Sequence, residues 1–135
     1  MKKRTPVSKI MTSNVTSVNV TNSLREVYNL IKEKNINHVP VVKGDEIIGL
    51  LTDSDFDKIS YMSADDKSNL SIFDALSVEQ VMTKNIKTVQ QEDLIVDVAN
   101  ILAHSHFHAL PVLDGKKLVG IVTTTDLLKF LVDQY

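Results

Sequence analysis

The chain has no cysteine and no tryptophan, and only four glycines and three prolines among 135 residues. Without cysteine there can be no disulfide, no zinc–thiolate site and no thiol nucleophile. The glycines stand at 44, 49, 115 and 120, so neither a G-x-x-x-x-G-K-[ST] phosphate loop nor a G-x-G-x-x-G dinucleotide turn occurs. No apolar run is long enough to cross a membrane, and none follows the basic start Met1-Lys2-Lys3-Arg4, so neither a signal peptide nor a membrane span is expected. Three Asn-x-Ser/Thr triplets, at Asn14, Asn19 and Asn69, then carry no meaning as glycosylation sites. An excess of positive charge is missing too. The formal net charge is −2 and the pI about 6.0, which argues against a nucleic-acid binder. These absences leave a cytoplasmic protein as the reading.

What the chain does have, it has twice. Gly49-Leu50-Leu51-Thr52-Asp53-Ser54-Asp55-Phe56 returns 71 positions later as Gly120-Ile121-Val122-Thr123-Thr124-Thr125-Asp126-Leu127. The same shift carries Met11-Thr12 onto Met82-Thr83, Pro40-Val41 onto Pro111-Val112 and Gly44 onto Gly115. A repeat held in register over this length means two copies of one supersecondary unit. Each copy is marginal alone, but with 43% hydrophobic residues the two can share one compact module.

Each copy opens with a β-branched extended segment, Asn14 to Val18 and Asn85 to Val89. A helix follows, for which Asn22 and Asp93 are the expected N-caps, with Ser23 and Glu26 offering a capping box in the first copy. Leu24, Val27, Leu30 and Ile31 have helical spacing, as do Ile95, Val98, Ile101 and Leu102. Two apolar strands joined by a short glycine turn come next, a hairpin pattern. The first begins Val39-Pro40-Val41-Val42 or Leu110-Pro111-Val112-Leu113, and its proline suggests an edge or a strand start. A second helix begins beyond Thr52 and Thr123. The fold class expected is α+β: strand, helix, strand, strand, helix, in duplicate. The repeats are assigned to residues 1–60 and 78–135, with 61–77 as a polar connector.

Thr-x-x-Asp at a strand-to-helix corner has a chemistry of its own. A carboxylate near a helix start can accept from both hydroxyls of a ribose. The threonine hydroxyl and the helix N-terminal amides favour an anionic phosphate at the same mouth. The plainer role for the same residues is capping, and one residue can cap and bind at once.

The ordered set resembles the cystathionine β-synthase (CBS) domain, and the duplicated chain resembles a tandem CBS pair, or Bateman module. The matching residues are Ile10-Met11-Thr12 and Val81-Met82-Thr83, then Pro40-Val41-Val42 and Pro111-Val112-Leu113. The closing Gly-hydrophobic-hydrophobic-Thr-x-x-Asp is Gly49 to Asp55 and Gly120 to Asp126. The resemblance covers about residues 7–60 and 78–134. It implies a regulatory module that binds an adenosine-containing ligand between its repeats and controls a separate partner protein, without catalysis or a resident cofactor. A homodimer is expected from the apolar end of the last helix, where Phe130, Leu131 and Val132 could supply its face or equally be core.

Carried over by position, the preferred site comprises Thr123, Thr125 and Asp126, faced by Met11, Val15 and Thr16 around the base and by Asn37 and His38 near the phosphates. The second comprises Thr52, Ser54 and Asp55, faced by Met82, Ile86 and Lys87, with His108. Asp53 adds a second carboxylate to the latter, so the Asp126 site is expected to bind a nucleotide more tightly. Some family members place arginine before the Pro-Val strand to grip phosphates. Here His38 and Ala109 stand there, which favours AMP over ATP.

Other patterns are weaker. His104, His106 and His108 alternate and invite a metal, but His104 falls near a helix end and His108 at the approach to a strand, so no metal site is assigned. Asp53-x-Asp55-x-Asp57 opens like a calcium loop, yet Lys58 and Ala64 stand where that loop needs glycine and glutamate. No Ser-His-Asp setting is recognisable, and no enzyme is expected. The remaining alternatives are a ligand-free interaction scaffold or, further off, a metal-responsive protein using the three histidines.

Overall fold

The computed structural model describes residues 4–62 and 73–135. It is α+β, with strand, helix, strand, strand and helix occurring twice, and its residues gather into two compact units. One unit is residues 16–86; the other is residues 1–15 together with 87–135. Among the described residues no helix is long and apolar enough to cross a membrane. The connector assigned to 61–77 falls mostly outside the described residues.

In the unit of residues 16–86, β1 (Val18–Asn19) runs parallel to β2 (His38–Lys43), and β2 pairs antiparallel with β3 (Glu46–Thr52). Between β1 and β2 lies α1 (Leu24–Lys34), which buries Leu24, Val27 and Ile31 at helical spacing. Ser23 is its N-cap: Ser23 Oγ accepts from the Glu26 N–H at 3.1 Å, and Glu26 Oε1 accepts from the Ser23 N–H at 3.0 Å. That backbone donor holds the Glu26 carboxyl below the usual carboxylate range. The box is therefore intact near neutral pH and is lost as pH falls through that lowered value. Ser23→Ala should cost about 1 kcal/mol, read as a lower denaturant midpoint at unchanged slope.

The expected caps Asn22 and Asp93 are one residue too early. Asn22 Oδ1 accepts from the Asn19 N–H at 2.8 Å, and Asp93 Oδ2 from the Gln90 N–H at 2.9 Å. Both side chains satisfy a strand amide three residues back, so they close the turn out of the strand rather than cap the helix after it.

Pro40 is paired on one side only, with Leu50 of β3, because β1 reaches only Val41 and Val42; at Pro40 β2 is locally an edge near its start, as the sequence suggests. Its partner Leu50 turns its own N–H and C=O to Thr83, at 3.0 and 2.9 Å, away from β2. Pro40 and Leu50 thus face each other without a ladder bond, and the missing proline N–H is not needed. Pro111 and Ile121 repeat the arrangement, with Ile121 bonded instead to Thr12.

The core of this unit gathers Val39, Val41, Leu51, Phe56 and Ile59 with the buried face of α1. The end of the connector and the opening of the second repeat complete it: Phe73 joins Tyr28 and Phe56 with ring centroids 5.2 and 6.3 Å away, and α3 (Val78–Val81) buries Val78. After β3 comes α2 (Asp53–Met62).

The other unit holds β4 (Val89–Gln90), α4 (Ile95–Ala103), β5 (Ala109–Asp114), β6 (Lys117–Thr123) and α5 (Thr124–Asp133), with the same pairing. Its core, Val89, Val98, Leu102, Leu110, Val112 and Val122, is closed by Val7 from the start of the chain. Backbone bonds tie that start down: the Val7 N–H donates to the Asp93 carbonyl at 2.7 Å, and the Ile95 N–H to the Thr5 carbonyl at 2.9 Å. Gln90 further clamps the hairpin turn, donating to the Gly115 carbonyl at 3.0 Å and accepting from its N–H at 2.9 Å.

Candidate functional site

Each unit ends a strand in threonine and starts a helix on the next residue. In the unit containing β6, the Thr123 N–H donates to Asp126 Oδ2 at 2.9 Å, and Thr123 Oγ1 accepts from the Asp126 N–H at 3.1 Å. This is a full capping box, so the plainer role of the pair is realised. It occupies one carboxylate oxygen. Asp126 is half-buried, and among the described residues no donor reaches Oδ1. A half-desolvated carboxylate with one oxygen uncommitted can cap its helix and accept from a ligand hydroxyl together.

The corner at β3 looks the same in sequence and differs in its bonding. The Thr52 N–H again donates to the acid, Asp55 Oδ2, at 2.9 Å. The Thr52 hydroxyl, however, donates to that carboxylate at 3.2 Å and also pairs with Ser54 Oγ at 2.7 Å. Asp53, exposed, occupies the position of Thr124.

Neighbouring residues are drawn to each corner by backbone. The Asn37 carbonyl accepts from the Asp53 N–H at 3.2 Å, and His38 stands opposite Thr52 in the ladder. Correspondingly, the His108 carbonyl accepts from the Thr124 N–H at 3.0 Å and from its hydroxyl at 3.3 Å. The structure therefore brings Asn37 and His38 together with Thr52, Ser54 and Asp55, and brings His108 together with Thr123, Thr125 and Asp126. Val15 and Thr16, both half-buried, fall on either side of the division between units, as do half-buried Ile86 and exposed Lys87.

Met11 and Met82 lie along the strands that lead into the corners. Met82 is buried against Gly49 on β3, where a Cβ would strike its sulfur and come within 3.1 Å of the Thr83 carbonyl oxygen. Met11 lies against Gly120 on β6 in the same way, with the Thr12 oxygen at 3.0 Å. Thr12 and Thr83 then bond to the outer edge of the same strand. The Met-Thr of one repeat is thus seated on the glycine of the other. Sequence reading noted both motifs and missed the link between them, although their common shift was the available signal.

The three histidines do not assemble. His104 Nδ1 bonds the Asn100 carbonyl at 2.9 Å, at the end of α4. Among the described residues no group of three His, Asp or Glu is placed to hold a metal ion.

Comparison with known proteins comes to the same two stretches. The family profile described as CBS domain matches residues 7–60 and 78–133. A homoserine O-acetyltransferase of Methanohalobium evestigatum is 29% identical over 129 residues, covering 94% of this chain and 24% of that protein. The chain spans between about a quarter and just under half the length of the first curated relatives it matches. Among solved structures, the CBS domain pair of protein MJ0100, in complex with 5′-methylthioadenosine and S-adenosyl-L-methionine, superposes with TM-score 0.80 at 23% identity over 97% of this chain and 98% of that one. CBSX2 in complex with AMP gives 0.81 at 23% identity, over 96% and 97% of the two chains.

Proposed function

The chain belongs to the CBS domain family as a tandem pair, and from that premise we propose that it is a regulatory module sensing an adenosine ligand. One observation carries the reading: a threonine–aspartate corner occurs in both units, each with a half-buried carboxylate at a helix start. The ligand's ribose diol donates to the carboxylate, and its 5′ group meets the threonine and the helix amides. That the two solved pairs above hold AMP, or S-adenosyl-L-methionine and 5′-methylthioadenosine, supports the ligand class.

AMP is favoured over ATP because His38 and Ala109, rather than arginine, open the two Pro-containing strands. The Asp126 corner, carrying one carboxylate where the other carries Asp53 as well, is the tighter nucleotide site. The module has no catalysis of its own. It acts in the cytoplasm on a separate protein, by favouring whichever conformation binds ligand better. Leu128, Leu131 and Val132, left exposed on α5, support a homodimer face there.

Mass spectrometry of small molecules released from the freshly purified protein, followed by calorimetry with AMP, tests the reading. An adenine compound in the release, or saturable AMP binding, is expected. If nothing is released and AMP, ADP, ATP and S-adenosyl-L-methionine all leave the melting temperature unchanged, the corners serve only as caps and the protein is a scaffold.

A further inference from the structure

Resting on that reading, we infer that the two corners are built for different 5′ chemistries. The Thr123–Asp126 corner takes a 5′-phosphate; the Thr52–Asp55 corner takes an adenosine whose 5′ group is uncharged or cationic.

Two independent differences point this way. The first is charge. Asp53, Asp55 and Asp57 crowd the first five residues of α2, whereas Asp126 is the only acid among the matching residues of α5. Among the described residues the Asp53 carboxylate has no ion-pair partner. A phosphate approaching this helix start meets a like charge that the other corner replaces with Thr124.

The second is hydrogen-bond polarity. Thr123 Oγ1 accepts from the Asp126 N–H, so the hydroxyl proton remains to be donated outward. Thr52 Oγ1 instead lies 3.2 Å from Asp55 Oδ2 and 2.7 Å from Ser54 Oγ, so its proton is spent inside the corner whichever of the two receives it. The corner therefore offers outward lone pairs, carboxylate and at most the Ser54 proton, where the other corner keeps the Thr123 proton free. Donors suit a phosphate; acceptors and negative charge suit a neutral or positive group. The histidines do not distinguish the two, since His38 adjoins one corner and His108 the other.

Calorimetry with AMP and with S-adenosyl-L-methionine, on the whole chain and on charge-swapped variants, decides the matter. Asp126→Asn should weaken AMP selectively, and Asp55→Asn should weaken S-adenosyl-L-methionine selectively. Asp53→Thr should raise AMP affinity at the Asp55 corner about tenfold and lower that of S-adenosyl-L-methionine; Thr124→Asp should do the reverse at the other corner. Asp53 is exposed, and Asp53→Asn provides a second neutralisation with an unchanged outline should the threonine variant fold poorly. If both compounds bind and the swaps leave their affinity ratio unchanged, the selectivity is wrong while the sensor reading stands. If neither compound binds the unaltered protein, the sensor reading falls and takes this inference with it.

Discussion

Gly120→Val should destabilise the protein by about 3 kcal/mol. A side chain at 120 meets the Met11 sulfur, which is the end of a flexible chain and can move. It also meets the Thr12 carbonyl oxygen, 3.0 Å from a Cβ, which cannot move without breaking the paired bonds of 2.8 and 3.0 Å between Thr12 and Ile121. The opening segment is therefore pushed off β6. Met11→Ala in the same chain should restore only part of the loss, because the carbonyl remains; a double-mutant cycle from denaturant midpoints measures how much. Gly115→Asn is the control. Gly115 has φ of 65° and open space around it, so asparagine, tolerant of left-handed backbone, should cost under about 1 kcal/mol. A Gly120→Val protein as stable as the unaltered one would show that the Met-Thr segment is not seated as described.

Asp126→Asn should lower AMP affinity about 100-fold with almost no change in stability. An asparagine oxygen still accepts from the Thr123 N–H, so the helix keeps that half of its cap. What disappears is the negative charge, and with it the charge-assisted character of two bonds to a ribose diol, worth about 1–2 kcal/mol each. Asp126→Ala, by contrast, should lose the same affinity and in addition about 1 kcal/mol of stability from the cap. The two variants separate capping from binding, which overlap in the folded protein because one carboxylate does both. Should Asp126→Asn bind AMP as before while Asp126→Ala only melts earlier, the residue is a cap alone.

Much of this was legible in the residues because repetition filters chance. Leu24, Val27 and Ile31 recur as Ile95, Val98 and Leu102, and the structure buries all six. The strand-to-helix corners were found from Thr-x-x-Asp, since a capping box and a strand end leave a local mark in sequence. The direction of the Thr52 hydroxyl left none. Ser54 and Thr125 are both hydroxyl residues, and only coordinates show that Ser54 pairs with the preceding threonine. The caps at Asn22 and Asp93 were misread for a related reason: asparagine and aspartate satisfy an amide equally well in a turn or at a helix start. The edge reading of the prolines holds at the level of the single residue rather than of the whole strand. A ladder alternates, and Pro40 falls where it points outward and β1 has not yet begun.

One consequence of the way the units are closed concerns the order in which the chain can fold. Residues 5–12 bond to Gln91, Asp93, Ile95 and Ile121, so all of residues 16–86 lies between them and their partners along the chain. Seating them therefore waits on a far longer loop closure than any pairing within residues 16–86 requires. The unit of residues 16–86 has no such wait, because everything in it is already adjacent in the chain. It can settle first, and pulsed hydrogen exchange during refolding should find its strand amides protected before those of Val7, Thr12 and Ile121.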